Sequence, residues 1–284
     1  MRDVTGGPDT ARPTPRLAII IVTYNSRADV DDCLASLTGI RAPQIDHDIV
    51  VVDNASTDGT PAYVRDRWPG VRVIEAGRNL GFAGGNNLGI RQTSGNLLLL
   101  LNPDTVVDAG AIDRLLGTLA SRPDAAIVGP RIENREGRVE LSFGRMMSPV
   151  AELRQKLLVI GHERGWPLIA PLVERRTRLQ LTVDWVSGAC LLAWRRDLEA
   201  VGLLDERFFM YTEDVDLCAA VRARGRLVLF EPAARIVHVR GRSRLSAASA
   251  THAAYRQSQV AFYEKHHPGW APVLRAYLRI TGKI

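Results

Sequence analysis

Residues 97–104 read LLLLLNPD, five leucines running into Asn102, Pro103 and Asp104. An apolar run this short, with no polar alternation, is read as a strand buried on both faces, the centre of a parallel sheet. Pro103 has no amide hydrogen with which to extend a ladder. The strand therefore stops there and delivers Asp104 to the carboxyl edge, where open α/β sheets bind their ligands. A carboxylate at that edge either holds a metal or sits in a solvated turn, and the flanking sequence decides between the two.

Towards the amino terminus, Leu17–Val22 reads as a first strand, with Thr23, Tyr24 and Asn25 at its end. Ser26 and Asp29 are spaced as a capping box, and Val30, Cys33, Leu34 and Leu37 share one helical face. Ile49–Val52 gives a second strand, followed by the polar loop 53–59 (DNASTDG) and a helix with Thr60 as its cap and Pro61 in its first turn. Val71–Ile74 is a third strand, after which residues 77–87 (GRNLGFAGGNN) place Asn79, Gly84 and Asn86 ahead of a helix. Glycines in such a loop let backbone approach a ligand, and the amides that open a helix favour anions. The spacing is not GxGxxG and does not follow the first strand, which sets a dinucleotide site aside.

Beyond the leucines, Ile112, Leu115, Leu116 and Leu119 mark another amphipathic helix and Ala126–Val128 a strand. Alternation of strand and helix over the first 130 residues predicts an α/β fold: a doubly wound, mostly parallel sheet with flanking helices. From Arg131 to Leu181 the pattern loosens into a hairpin near Glu136 and Gly137 and a basic, proline-interrupted stretch, read as a substrate-facing excursion. Apolar character returns at Val183–Trp194, around Gly188. Thr212, Glu213, Asp214, Val215 and Asp216 then open a helix closed by Gly225. Acids in a first helical turn suit the dipole in any protein, so capping alone accounts for this pair as well as chemistry does. Leu227–Phe230 and Ile236–Val239 are strands, the second leading His238 towards Arg240, Gly241 and Arg242.

The 284 residues are 46% apolar and 24% charged, ordinary for a globular protein. No apolar run reaches the length of a membrane span, and the first 16 residues form a loose tail without a signal peptide's core, which predicts a cytoplasmic protein. The net charge of +6 is almost all arginine, suited to phosphates or an anionic membrane surface, and no nucleic-acid signature accompanies it. Cys33, Cys190 and Cys218 are too scattered for a zinc site and read as buried thiols. Residues 244–284 read as basic helices that pack on the domain or lie on lipid headgroups.

Placed on one sheet, the polar strand ends line a single cleft fit for a nucleotide. Asp53 would accept from a pyrimidine imide, the glycine loop would meet ribose or phosphate, and Asp104 would hold a divalent ion. Oxygen donors with one imidazole suit Mn2+ or Mg2+. A diphosphate departing from carbon needs such charge neutralisation, and the group transferred would be a sugar.

In order, IIIVTYNS, VVDNASTDGT, NLGFAGGNNLGI, LLLLNPDT, WVSGACLLAWRR, GLLDERFFMYTEDVDLCAAVRARG and VHVRGRS resemble the motifs of inverting family 2 glycosyltransferases with the GT-A fold. The likeness spans about Leu17 to Ser243, as one domain with a nucleotide-binding half at 17–130 and an acceptor half at 131–243. Within the family it is nearest to bacterial rhamnosyltransferases that use dTDP-L-rhamnose to extend a polyprenyl-diphosphate-linked sugar. The resemblance implies that Thr23 and Asp53, with Tyr24, Asn25 and Asn54, meet the nucleotide. It further implies that Asn102, Pro103 and Asp104 stand for the DxD metal motif, completed by His238, and that Asp214 is the catalytic base with Glu213 beside it. Trp185 and Gly188 then lie where donor and acceptor meet, with Asn79, Gly84, Asn86 and Arg242 on the donor. Asn102 replaces the first acid of DxD, so Asp104 carries the protein's charge at the ion.

Two other classes stand beside this reading. A nucleotidyltransferase needs a glycine-rich basic signature after the first strand, and TYNSRAD is not one. A non-catalytic nucleotide-sugar-binding module would show neither donor hydrolysis nor transfer. A different donor, a UDP-hexose or UDP-galactofuranose, remains the nearer alternative within the transferase reading.

Overall fold

The computed structural model describes residues 16–239 and 248–282. The expected tail at residues 1–16 therefore lies outside the described residues except for Arg16, as does Arg242.

The chain opens with β1 (Leu17–Thr23), α1 (Val30–Ala35), β2 (His47–Asp53), α2 (Thr60–Arg67), β3 (Arg72–Glu75), α3 (Gly81–Arg91) and β4 (Leu97–Leu101). These strands pair in parallel in the order β3-β2-β1-β4, each crossover carrying a helix. β5 (Thr105–Val107), α4 (Ala111–Ser121), β6 (Ala125–Glu133), β7 (Val139–Glu140) and β8 (Phe143–Gly144) follow. Next come the helices α5 (Pro149–Glu163) and α6 (Ile169–Arg176), then β9 (Leu181–Val183), β10 (Trp185–Val186), β11 (Cys190–Trp194) and α7 (Arg195–Glu199). The last elements are α8 (Glu213–Ala223), β12 (Leu227–His238), α9 (Ala248–His266) and α10 (Ala271–Ile280).

β4 lies inside the sheet, with every leucine at most 3% exposed. Each such side chain contributes about 2 kcal/mol of transfer free energy. Leu97, Leu99 and Leu101 face the layer built with α1 and α4, and Leu98 and Leu100 face the layer that contains Ala83 and Ile90 of α3. The two-sided burial matches the sequence reading, but the pairing is parallel on one side only. β4 meets β1 in parallel and β11 antiparallel, and β11 and β6 are also antiparallel. The leucines carry no mark of their neighbour's direction, because both kinds of ladder bury both faces here. β6 and β12 restore parallel pairing, and β12 is one long strand with a bulge between Glu231 and Arg235, where the sequence had suggested two pieces.

Local expectations shift in two other places. Ser26 does not cap α1; its hydroxyl bonds the backbone of Tyr24, and the helix begins after Asp29 without a side-chain cap. Thr60 is inside α2 behind a left-handed Gly59, its hydroxyl given to Asp58. The stretch between the hairpin at Gly137 and β9 holds two helices that its prolines disguised, since Pro149 occupies a first turn, where proline is tolerated. All three cysteines are buried, as expected. Among the described residues no helix is long and apolar enough to cross a membrane.

Candidate active site

The carboxyl ends of β1 and β2 are in register, with Thr23 opposite Asp53. The Thr23 hydroxyl donates to Asp53 Oδ1 at 2.9 Å, while Ser56 gives its hydroxyl to Oδ1 and its N–H to Oδ2. Asp53 is only 1% exposed, and three of its roughly four acceptor positions are taken. One lone pair on Oδ2 remains for an incoming N–H. Asn25 accepts from Thr57 N–H at 2.8 Å and gives its own N–H to Ser56, so the two loops are stitched together. Asn25 and Ala55 both hold positive φ, 52° and 62°. Strain of this kind collects at ligand sites. Tyr24 projects beside them, half exposed.

Three of the four glycines in the stretch 77–87, Gly81, Gly84 and Gly85, lie in the helix and not in the loop expected for them; Gly77 stays in the loop. Gly81, at φ 73°, opens α3 so close to Phe209 that a Cβ would stand 2.2 Å from its carbonyl oxygen. Gly84 packs on Leu80, and Gly85 on Val22. Asn79 accepts from Gly81 N–H, Asn54 donates to the Gly81 carbonyl, and Asn86 donates to the Phe82 carbonyl. These side chains fix the start of α3 against the sheet. Only Asn86 keeps a buried, unpartnered oxygen, Oδ1.

At the end of β4 the turn carrying Asp104 is tied down. Thr105 Oγ1 and Cys33 Sγ both donate to the Asn102 carbonyl, and Asn102 N–H donates to the Ala189 carbonyl at 2.9 Å. β5 and β12 set Thr105 opposite His238. His238 Nε2 consequently stands 3.1 Å from Asp104 Oδ1 and 3.5 Å from Asn102 Nδ2, and its Nδ1 is 3.5 Å from Glu140 Oε2. Asp104 Oδ1 and His238 Nε2 are close enough to bind one ion together, and a carboxylate with one imidazole is a donor set that Mn2+ or Mg2+ would accept. Among the described residues no group of three His, Cys, Asp or Glu side chains forms a cage. An ion here would therefore complete its shell with substrate oxygens and water, as magnesium commonly does. Glu140 behind the imidazole would orient it.

The acid pair opens α8. Tyr211 and Thr212 are both left-handed, φ 70° and 65°, immediately before α8. Thr212 therefore occupies the cap position without capping, and its hydroxyl is buried without a partner. This twist turns Asp214 to Gly188, whose N–H donates to Oδ2 at 2.7 Å, while Val215 N–H donates to Oδ1. Gly188 has no spare room: a Cβ would meet Phe82 at 3.2 Å and Asp214 Cβ at 3.3 Å. Burial raises the Asp214 pKa, opposed by the N–H groups of Gly188 and Val215. Glu213 is pushed far higher, first by burial and then by the charge of Asp214, and its Oε2 lacks a partner. Burial thus favours the neutral form of Glu213 more strongly than that of Asp214, whose oxygens keep two N–H donors.

Gly188 and Ala189 are consecutive, so one dipeptide touches Asp214 on one side and the Asn102 turn on the other. That dipeptide links the turn carrying Asp104, which His238 touches, to the start of α8, and Thr23 and Asp53 end the neighbouring strands of the same sheet. Trp185 stands one short strand away, its ring over Gly144 and its indole N–H on the Arg145 carbonyl. Ser56, Phe82 and Glu140 were not anticipated. Ser56 has a sequence signal, an acid three residues earlier in an Asx-type turn; Phe82 and Glu140 have none.

Residues 18–199 match the sequence profile of glycosyl transferase family 2. An N-acetylglucosaminyl-diphospho-decaprenol L-rhamnosyltransferase of Mycobacterium tuberculosis is 33% identical over 94% of this chain and 89% of its own. The low-salt glycan biosynthesis hexosyltransferase Agl10 of Haloferax volcanii is 30% identical over 72% of this chain and 61% of its own. Among solved structures, a Pyrobaculum calidifontis mannosyltransferase with GDP-Man and Mn2+ superposes with a TM-score of 0.62 at 19% identity, covering 95% of this chain and 71% of that one. S. aureus TarS 1-349 with UDP gives 0.56 at 15%, over 85% and 64%. The sheet described above is shared with these GT-A glycosyltransferases, and by profile and relatives together this chain is a glycosyltransferase that belongs to glycosyl transferase family 2.

Proposed function

We propose that the chain transfers L-rhamnose from dTDP-L-rhamnose, with inversion, to a hydroxyl of a polyprenyl-diphosphate-linked sugar. The observation that carries this reading is the Asp214–Gly188 hydrogen bond of 2.7 Å, one residue from the Ala189 carbonyl that holds the Asn102 turn. It sets a base opposite a place for a leaving diphosphate. The mycobacterial relative's name supplies the donor sugar and the lipid-linked acceptor.

In the step so arranged, Asp214 takes the proton of the acceptor hydroxyl as that oxygen attacks the anomeric carbon. The bond to the nucleoside diphosphate breaks on the opposite face, and the electron pair leaves with the diphosphate. Asp104 and His238 would hold a divalent ion, which when bound neutralises the charge on that diphosphate. Thr23, Asn25 and Asp53 position the base and ribose. Glu213, in the neutral form that burial favours, adds no second charge to repel the leaving group.

Membrane association belongs to the same reading. Trp270, Val273, Tyr277 and Ile280 run along one side of α10, from 52% to 86% exposed, with Arg275 and Arg279 beside them and no acid in the helix. An apolar stripe edged by arginine suits an anionic bilayer surface.

Incubating the protein with dTDP-L-rhamnose, UDP-glucose and UDP-galactofuranose, each with a short-chain prenyl-diphosphate N-acetylglucosamine acceptor and Mn2+, tests the proposal. Rhamnosylated product from the first donor is expected. Product from a UDP donor alone would overturn the sugar assignment, and no product from any donor would overturn the acceptor class.

A further inference from the structure

We propose that the cleft between β8, α5 and α6 is an anion site that grips the diphosphate of a lipid-linked acceptor with Arg145, Arg154 and Arg176. The inference deepens the proposed function and rests on its acceptor class. The cleft encloses about 310 Å3, walled by these arginines together with Phe143, Met146 and Leu158.

Three guanidiniums close to the cleft have acidic partners, Arg131 with Glu133, Arg178 with Glu174, and Arg222 with Asp184. Among the described residues, the side chains of Arg145, Arg154 and Arg176 make no hydrogen bond and no ion pair. The acid on the cleft wall, Asp184, is already taken by Arg222 at 2.7 Å and by Met146 N–H at 2.8 Å. Arg176 is held below the usual guanidinium range, first by burial and then by the charges of Arg154 and Arg145. Three like charges gathered on one cavity without a counterion cost free energy that a bound anion would return. Guanidinium forks match phosphate oxygens bidentately, so a diphosphate suits the site better than a carboxylate.

Position and surroundings select which diphosphate. Asp184 N–H donates to the Gly144 carbonyl at the cleft, and four residues further on Gly188 N–H donates to Asp214. Four residues of chain reach at most about 13 Å. That separation accommodates a sugar ring and its diphosphate between the base and the arginines. The donor's diphosphate is accounted for elsewhere, at Asp104. On the same two helices and at the cap of α6, Val150, Leu153, Leu157, Leu168 and Leu172 are 44–88% exposed, and Val150 is also on the cleft wall. A hydrocarbon chain leaving the cleft would meet that apolar surface.

The probe is farnesyl diphosphate, titrated calorimetrically into the protein with dTDP and Mn2+ saturating the donor site. Wild type is expected to bind it, and R154Q/R176Q to bind at least about tenfold more weakly. Lys156→Gln, elsewhere on α5 and exposed, should bind as wild type does. In transfer assays the double variant should raise the acceptor KM by a similar factor while kcat falls little. Equal affinity of wild type and the double variant would overturn the proposal. So would a double variant that loses only its flotation with phosphatidylglycerol vesicles, because the arginines would then read headgroups and not the acceptor. If wild type binds farnesyl diphosphate through these arginines yet transfers no sugar to lipid-linked acceptors, the acceptor reading fails and the anion site stands.

Discussion

Replacing Asp214 with asparagine tests the chemistry most directly, because the structure separates its catalytic consequence from its structural one. The carboxylate accepts from Gly188 N–H on one oxygen and from Val215 N–H on the other. An amide offers only one oxygen, so one of those N–H groups is left facing an NH2 group. Leaving a buried donor unmet costs about 1–3 kcal/mol of stability. Removing general-base help costs a factor of about 100 to 10,000 in kcat, or about 3–5 kcal/mol of barrier. Asp214→Asn should therefore melt a few degrees lower, bind dTDP nearly as wild type does, and lose at least about a hundredfold in transfer rate. The pH dependence has a definite sign. Burial raises the Asp214 pKa, and the base works only when ionised, so the wild-type rate falls as pH drops through that raised value. Glu213→Gln keeps the neutral form that burial favours and should keep most of the rate and its pH profile. Single-turnover rates from pH 5 to 9, alongside melting curves, measure all of this. Folded Asp214→Asn protein retaining a tenth of wild-type kcat would refute the assignment.

Other perturbations have equally definite directions. Glu213 has a folded pKa above its unfolded value, so its contribution to stability is intact below the unfolded pKa and falls as pH rises towards the folded one; Glu213→Gln should melt higher than wild type at pH 8 and gain little at pH 4. Asp104→Ala removes one of the two donors proposed for the ion and should weaken Mn2+-dependent dTDP binding about tenfold or more by calorimetry, with metal-free dTDP binding little changed. Gly81→Ala combines a positive φ with a Cβ pressed against the Phe209 carbonyl, and should lower stability by at least about 2 kcal/mol in urea unfolding. Asp216 is 2% exposed and bonded to both Lys265 and His266, so Asp216→Ala should loosen α9 from α8, read as faster amide exchange in 255–266.

What could be read from the sequence followed from local rules. β1, β2 and β4 announce themselves because strands buried on both faces must be continuously apolar, and Pro103 marks where one ends. Thr23, Asp53 and Asp104 lie directly after such strands, so their placement at one edge follows from topology. The antiparallel β11 was hidden, because CLLAW obeys the same apolar rule whichever way it runs. The role of the glycines around Gly84 was misplaced for a related reason. Glycine reports that something comes close, but not whether it is a ligand or, as here, Leu80, Val22 and Ile20. Phe82 and Glu140 reach the site only through tertiary packing, on which residue type has no bearing. The arginines of the α5–α6 cleft resemble any other solvated basic residues until the missing partners can be seen.

The strained backbone before α8 ties these observations into a mechanical argument. Holding Tyr211 and Thr212 left-handed costs about 1–2 kcal/mol each, and relaxing them would swing the first turn of α8 away from Gly188. Something must hold the helix in place, and the contacts show what does. Asp216, one short step along α8, is clamped by Lys265 and His266 of α9, while Ser258 of the same helix bonds the Met210 carbonyl just ahead of the strained pair. Glu152 of α5 accepts from Gln259 and Tyr263 of α9. The helix that fixes the base is therefore also the helix that fixes α5, which carries Arg154.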